Sequence, residues 1–167
     1  IRKIYYKYMK LILRWNGDNM RNLEIMPTEE NLLEAIKENI LKGAKISENV
    51  IEWNKKGLDL ADNGKYKKAI KCYDKAIELD PDDATAYASK GFTLYIMENY
   101  EEAIASYDEA LKRDPENAEL WKNKGLALDK QSDYEMAIKC YIKALELDSN
   151  DVSTWFNKGN NLFDIEK

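Results

Sequence analysis

Residues 84–117 read ATAYASKGFTLYIMENYEEAIASYDEALKRDPEN, and this stretch decides the fold. Its first half places an aromatic residue, a glycine and a leucine on one helical face: Tyr87, Gly91 and Leu94. Its second half repeats that spacing with small and aromatic residues: Ala103, Ile104, Tyr107 and Ala110. The polar pair Glu98-Asn99 separates the halves, and Pro115 ends the second, because proline disfavours helix at the preceding residue. The stretch therefore predicts two amphipathic helices joined by a tight turn.

The same pattern returns every 34 residues. The first helices share an aromatic residue, a lysine-glycine pair and a leucine, as in Trp53, Lys56, Gly57 and Leu60, and again in Trp121, Lys124, Gly125 and Leu128. The second helices share alanines and a tyrosine: Ala69, Tyr73 and Ala76, then Ala137, Tyr141 and Ala144. Asn99 and Asp133 occupy the positions at which the second helices of their repeats require an N-cap residue. One repeat cannot bury its apolar face alone, so we expect the repeats to stack.

These recurring residues resemble the pattern of the tetratricopeptide repeat family, which is built from helix-turn-helix units of this length. The resemblance covers repeats at 50–83, 84–117 and 118–151, and 152–167 as the first helix of a fourth repeat or a C-terminal cap. It implies an all-α fold, a right-handed α-solenoid with extra helices at the N-terminus. Lysine stands before the glycine where the family often has leucine. We expect its stem to cover apolar surface while its ammonium reaches water.

Residues 1–49 do not repeat cleanly. Residues 1–15 carry five basic residues and no acid, and they predict a basic amphipathic helix. Residues 16–27 read as a loop, and 29–42 as a helix that Gly43 can stop. The segment is expected to cap the array or to be a degenerate repeat. Self-association, membrane contact and nucleic-acid contact through the basic helix stay open as alternatives.

The composition excludes several classes of protein. The chain of 167 residues has no histidine, which removes histidine-based catalysis and metal binding, and its two cysteines cannot form a four-cysteine zinc site. The net charge is −5 although residues 1–15 contribute +5, so the acidic remainder disfavours nonspecific nucleic-acid binding. We therefore expect a cytoplasmic, non-enzymatic protein without a cofactor, a nucleic-acid partner or a membrane span.

The resemblance also implies a peptide-binding groove on the first helices. Its expected residues are Asn54, Leu58, Ala88, Phe92, Tyr95, Lys122, Asn123, Leu126, Asn157 and Asn160. The implied function is a scaffold that binds a peptide or helix segment of another protein through apolar and asparagine contacts. Alternatively, Phe92 and Tyr95 pack within or between repeats, or the N-terminal helices cover them. A structural self-assembly module, a homo-oligomer joined by the N-terminal helix or uncapped end faces, is the other functional hypothesis.

Related chaperone-binding proteins grip a peptide carboxylate with lysine or arginine at fixed groove positions. The corresponding residues here are Asn54, Leu58, Ser89, Glu119 and Asn123, or one repeat later Ala88, Phe92, Asn123, Ser153 and Asn157. Neither set contains a cation. The sequence therefore predicts no carboxylate clamp.

Overall fold

The computed structural model describes residues 29–165, with side chains from residue 33 onward. This part of the chain has no strand and forms seven helices: α1 (Glu29–Asp62), α2 (Tyr66–Leu79), α3 (Ala84–Ile96), α4 (Tyr100–Arg113), α5 (Ala118–Lys130), α6 (Tyr134–Leu147) and α7 (Val152–Ile165). The chain divides into two compact units, residues 1–41 and 42–167. Of the first unit only the start of α1 is described. The amphipathic helix predicted over 1–15 and the loop over 16–27 lie outside the described residues.

Helix α1 does not end at Gly43, so that part of the prediction is wrong. The apolar face continues past the glycine through Ile46, Val50 and Trp53. Val50 is only 6% exposed and packs with Ala76 and Ala86. Burying such a side chain contributes about 1.5–3 kcal/mol, which exceeds the ~1 kcal/mol that a glycine costs inside a helix.

From residue 42 onward the helices pack in the predicted order. Each helix from α2 to α6 contacts the next one, and α5 also contacts α3 and α7. Successive second helices end at an aspartate in extended backbone or close to it: Asp80, Asp114 and Asp148. This unit is therefore an all-α solenoid of helix-turn-helix repeats.

The core is organised around three tyrosines that are fully buried: Tyr73, Tyr107 and Tyr141. Each ring lies against the glycine of the preceding first helix. A Cβ added to Gly91 would stand 2.9 Å from Cε1 of Tyr107, and one added to Gly125 would stand 2.5 Å from Cε1 of Tyr141. Gly159 in α7 differs, because a Cβ there would meet nothing within 4 Å. The repeated glycine is thus required by close helix approach at the internal positions only.

The turns within the repeats use a left-handed residue at one shared position. Gly64, Glu98 and Ser132 have φ of 70°, 61° and 62° and occupy the same place in successive repeats. Glycine adopts this conformation freely, whereas a residue with a side chain is strained by about 1–2 kcal/mol.

The two predicted N-caps differ. Oδ1 of Asp133 accepts a hydrogen bond from the backbone N–H of Met136 at 3.2 Å, as expected. Asn99 occupies the N-cap position of α4, but its side chain makes no capping bond. Both residues have nearly the same backbone angles, so the difference lies in the side chain and not in the backbone.

Lysine-aspartate pairs join consecutive repeats. The ammonium of Lys90 lies 2.7 Å from Asp74, and that of Lys124 lies 2.5 Å from Asp108. The side chain of Lys124 is only 15% exposed, so its stem is buried as predicted, and its ammonium pairs with a carboxylate. The residue equivalent to Asp74 and Asp108 in the third repeat is Ile142, and no such pair forms there with Lys158 in the described structure.

Candidate functional site

A cavity of about 590 Å³ lies along the first helices of three consecutive repeats, α1, α3 and α5. We call it the central groove. Three of its lining side chains are large and apolar, and they stay about half-exposed: Leu58, Phe92 and Ile96. Ser89, Asn117 and Asn123 add polar groups beside them. Folding thus leaves an apolar surface with neighbouring hydroxyl and amide groups open to solvent.

Two side-chain contacts brace neighbouring first helices on either side of this groove. Nδ2 of Asn54 in α1 donates to Oδ2 of Asp83, the N-cap residue of α3, at 2.6 Å. The ammonium of Lys122 in α5 lies 3.2 Å from Oδ2 of Asp151, the residue before α7. The two contacts join equivalent repeat positions. Each contact therefore links one first helix to the start of the next, and we call such a contact a strut.

The equivalent strut is missing at the central groove. The repeat position of Asn54 and Lys122 is filled in α3 by Ala88, whose methyl group has no polar atom to reach the next helix. The N-cap residue that a strut would reach is Asn117, and its Nδ2 donates instead to Asp114 at 2.9 Å. Both Ala88 and Asn117 line the groove. The junction between α3 and α5 therefore lacks the polar contact found at the junctions on either side, while cavities lie at all three junctions.

The start of α7 is held by an ionised carboxylate. Oδ1 of Asp151 accepts from the backbone N–H of Ser153 at 3.0 Å, and Oδ2 accepts from the hydroxyl of Thr154 at 2.7 Å. These hydrogen bonds, and then the ammonium of Lys122, hold the pKa of Asp151 well below its ordinary value. The carboxylate of Asp151 therefore remains ionised at neutral pH.

Six of the ten predicted groove residues line cavities on this side of the repeats. Leu58, Ala88, Phe92 and Asn123 line the central groove. Asn54 lines a neighbouring cavity of about 390 Å³, and Lys122 lines one of about 640 Å³.

The other four predicted residues lie elsewhere. Tyr95 and Leu126 are half-buried against the core, and the Tyr95 ring centroid is 5.6 Å from that of Tyr100. Asn157 is half-buried and Asn160 exposed on α7, and neither lines the central groove. The structure adds Ile96, which the sequence interpretation missed. Ile96 follows Phe92 by four residues, so the two side chains lie on one helical face, and this spacing could have identified Ile96 from the sequence.

Potential metal ligands are not clustered in the described part of the chain. Within residues 29–165, no group of three or more histidine, cysteine, aspartate or glutamate side chains is arranged to hold a metal ion. Cys72 and Cys140 are free and buried, and burial raises the pKa of Cys140 to about 11. None of the helices in this range is long and apolar enough to span a bilayer.

The repeats match two family models. Residues 57–98 and 91–132 match a TPR repeat model, and residues 118–151 match a tetratricopeptide repeat model. Because these matches together cover more than half of the sequence, the chain belongs to the tetratricopeptide repeat family. A search of curated proteins found no match.

Several solved structures are similar. The first TPR of Spaghetti (RPAP3), bound to an HSP90 peptide, is 21% identical with a TM-score of 0.71, and the match covers 72% of this chain and 96% of that one. The second TPR domain of human RPAP3, in complex with an HSP70 peptide, is 21% identical with a TM-score of 0.67 and coverage of 70% and 97%. YrrB, described as a TPR protein with an unusual peptide-binding site, is 32% identical with a TM-score of 0.64 and coverage of 78% and 63%. The two RPAP3 domains show the shared fold alone.

Proposed function

We propose that this chain is a non-enzymatic interaction scaffold that binds a peptide or helix segment of another protein in the central groove. The observation that carries the proposal is the set of half-exposed apolar side chains in a cavity bounded by three first helices. Clustered apolar side chains that remain open to water cost free energy unless a ligand covers them, so such patches often mark binding sites. Asn123 can donate to and accept from the backbone of a bound segment.

The relatives support the peptide-binding part of the proposal. Two of the similar RPAP3 domains are bound to chaperone-tail peptides, and YrrB is described by its peptide-binding site. The chemistry proposed here is different, because the residues at the clamp positions include no lysine or arginine. Asn54 is also already engaged by Asp83, and Glu119 would repel a peptide carboxylate. We therefore propose apolar anchoring without a carboxylate clamp.

A peptide-library selection tests the proposal. The full chain and its Phe92→Ser variant would each be panned against a random dodecapeptide phage library. Ile142→Ser serves as the matched control, because it removes a 39% exposed apolar side chain from α6. Peptides enriched on the wild type and on the control, but not on Phe92→Ser, are the expected result. Enrichment that ignores Phe92, or none at all, would refute groove binding; retained helicity by circular dichroism would show that the variants fold.

Self-assembly is the second candidate function, and a feature of α7 favours it. Leu162 is 45% exposed, whereas its equivalents Leu94 and Leu128 are 2% and 7% exposed. Trp155 and Gly159 on the same face are also exposed. A helix from a second copy could cover this face. We expect a mass that rises with concentration in light scattering, and a monomer after Leu162→Lys, if this function holds; a monomer at all concentrations contradicts it.

A further inference from the structure

The charges that line the central groove are all of one sign. Asp62 from α1, Asp114 before α5 and Glu119 in α5 line the cavity, and no lysine or arginine does. Asp114 accepts a hydrogen bond from Asn117. Asp62 and Glu119 take part in none of the ion pairs found over the described residues. Their charges are thus available to a ligand.

The same imbalance extends to both neighbouring cavities. The three cavities along the first helices are lined by eight carboxylates and only two lysines. One of these lysines, Lys122, is already paired with Asp151. Carboxylates that share a concave surface reinforce one another's potential, so this face attracts cations and repels anions.

Helix α3 lies between the acidic sides and contributes no charge of its own. All seven of its lining residues are uncharged, and the largest are Phe92 and Ile96. The groove therefore has an apolar floor on α3, with Asp62 on the α1 side and Glu119 on the α5 side. An occupant that matches both features needs an apolar side chain in its middle and positive charge on either flank.

We infer that the groove takes a segment of another protein in which an apolar side chain is flanked by lysine or arginine. The inference rests on the proposed function and adds the chemical class of the partner. The flanking charges contribute mainly to the rate of association and to discrimination against acidic segments, while the apolar anchor provides most of the affinity. An acidic chaperone-tail peptide has the wrong charge for this surface.

Binding of designed peptides to the full chain tests the inference. The first probe is a fluorescent dodecapeptide, acetylated and amidated, with a central leucine-phenylalanine pair and three lysines on each side. A control peptide, which we call the glutamate twin, has the same sequence with glutamate in place of each lysine. Fluorescence anisotropy would be measured at low and high salt. We expect the lysine peptide to bind at least ten-fold more tightly than its twin, and to lose affinity as salt screens the charges.

Two double variants separate the groove charges from overall charge. Asp62→Asn with Glu119→Gln removes the two groove carboxylates, and should weaken the lysine peptide about three- to ten-fold, as expected for two partly exposed ion pairs. Glu52→Gln with Glu135→Gln removes the same net charge from exposed positions outside the three cavities. This control should change affinity by less than about two-fold.

The possible outcomes distinguish the two proposals. A glutamate twin that binds as tightly as the lysine peptide, with binding lost on Phe92→Ser, overturns the partner chemistry and leaves groove binding intact. Binding of the lysine peptide that is insensitive to Phe92→Ser overturns the groove itself. No binding of either peptide at millimolar concentration, or equal losses in both double variants, overturns the inference. A mass in light scattering that rises to that of a dimer with concentration, and that Phe92→Ser returns to the monomer, would assign the groove to a second copy of this chain and would overturn a separate partner.

Discussion

The close contact between Gly125 and Tyr141 gives a stability prediction with a control inside the same chain. A Cβ at residue 125 would stand 2.5, 2.8 and 3.1 Å from three atoms of the Tyr141 ring, whereas carbon atoms in contact prefer about 3.5–4.0 Å. The ring must move by about 1 Å, yet Tyr141 is fully buried and cannot swing into solvent. Overpacking of this kind costs about 1–3 kcal/mol. Replacing glycine by alanine inside a helix stabilises the folded state by ~1 kcal/mol. The net free energy of unfolding of Gly125→Ala should therefore be lower than that of the wild type by about 0–2 kcal/mol.

Gly159→Ala supplies the matched control. Residue 159 holds the same repeat position in α7, and a Cβ there meets nothing within 4 Å. The variant should therefore gain the full ~1 kcal/mol of helix propensity. The propensity term is common to both variants, so the difference between them, about 1–3 kcal/mol, isolates the clash with the tyrosine ring.

Urea unfolding followed by far-ultraviolet circular dichroism would measure both variants. The midpoint should fall or stay unchanged for Gly125→Ala and rise for Gly159→Ala, with similar slopes, because the surface exposed on unfolding is nearly the same. Equal shifts in the two variants would refute the packing argument. Gly91→Ala, with a closest contact of 2.9 Å, should fall between them.

Three further predictions rest on single features. Glu98→Gly and Ser132→Gly should each stabilise the fold by about 0.5–1 kcal/mol, because glycine removes the cost of positive φ; an unchanged urea midpoint would contradict this. The pKa of Asp151 is lowered in the folded state, so its stabilising effect is present above its ordinary value and lost on acidification. The difference in unfolding free energy between wild type and Asp151→Asn should be constant above about pH 5 and shrink below about pH 4, in urea titrations at several pH values. Cys140, with a pKa raised to about 11, should react with a thiol reagent at pH 8 much more slowly in the folded chain than in urea; equal rates would contradict its burial.

The repeat period was sufficient to predict the helix pairs and their packed faces. Glycine and tyrosine keep the same spacing in each repeat, and their contact follows from that spacing once two antiparallel helices are assumed. The end of α1 could not be predicted in the same way. A glycine such as Gly43 is a local signal, whereas continuation depended on the burial of Val50 against residues far away in sequence.

The groove was only partly predictable from sequence. The exposed residues Leu58 and Phe92 follow from the family pattern, and the structure places them in the central groove. The side-chain contacts between first helices depend on Asn54, Ala88 and Lys122, which occupy one repeat position. Asn54 and Lys122 have polar atoms that extend to the next N-cap residue, whereas Ala88 has none. The distance between a first helix and the next N-cap cannot be read from the sequence.

The lysine-aspartate pairs between repeats also make the repeats unequal as building blocks. A duplicated copy of residues 84–117 placed after itself would set Lys90 opposite Asp108 and reproduce a native junction. A copy of residues 118–151 placed before residues 84–117 would set the same lysine opposite Ile142 and lose the pair, at a cost of up to ~1 kcal/mol. Tandem duplication of the middle repeat is therefore an easy route by which an array of this kind can lengthen, whereas reordering its repeats is penalised at each mismatched junction.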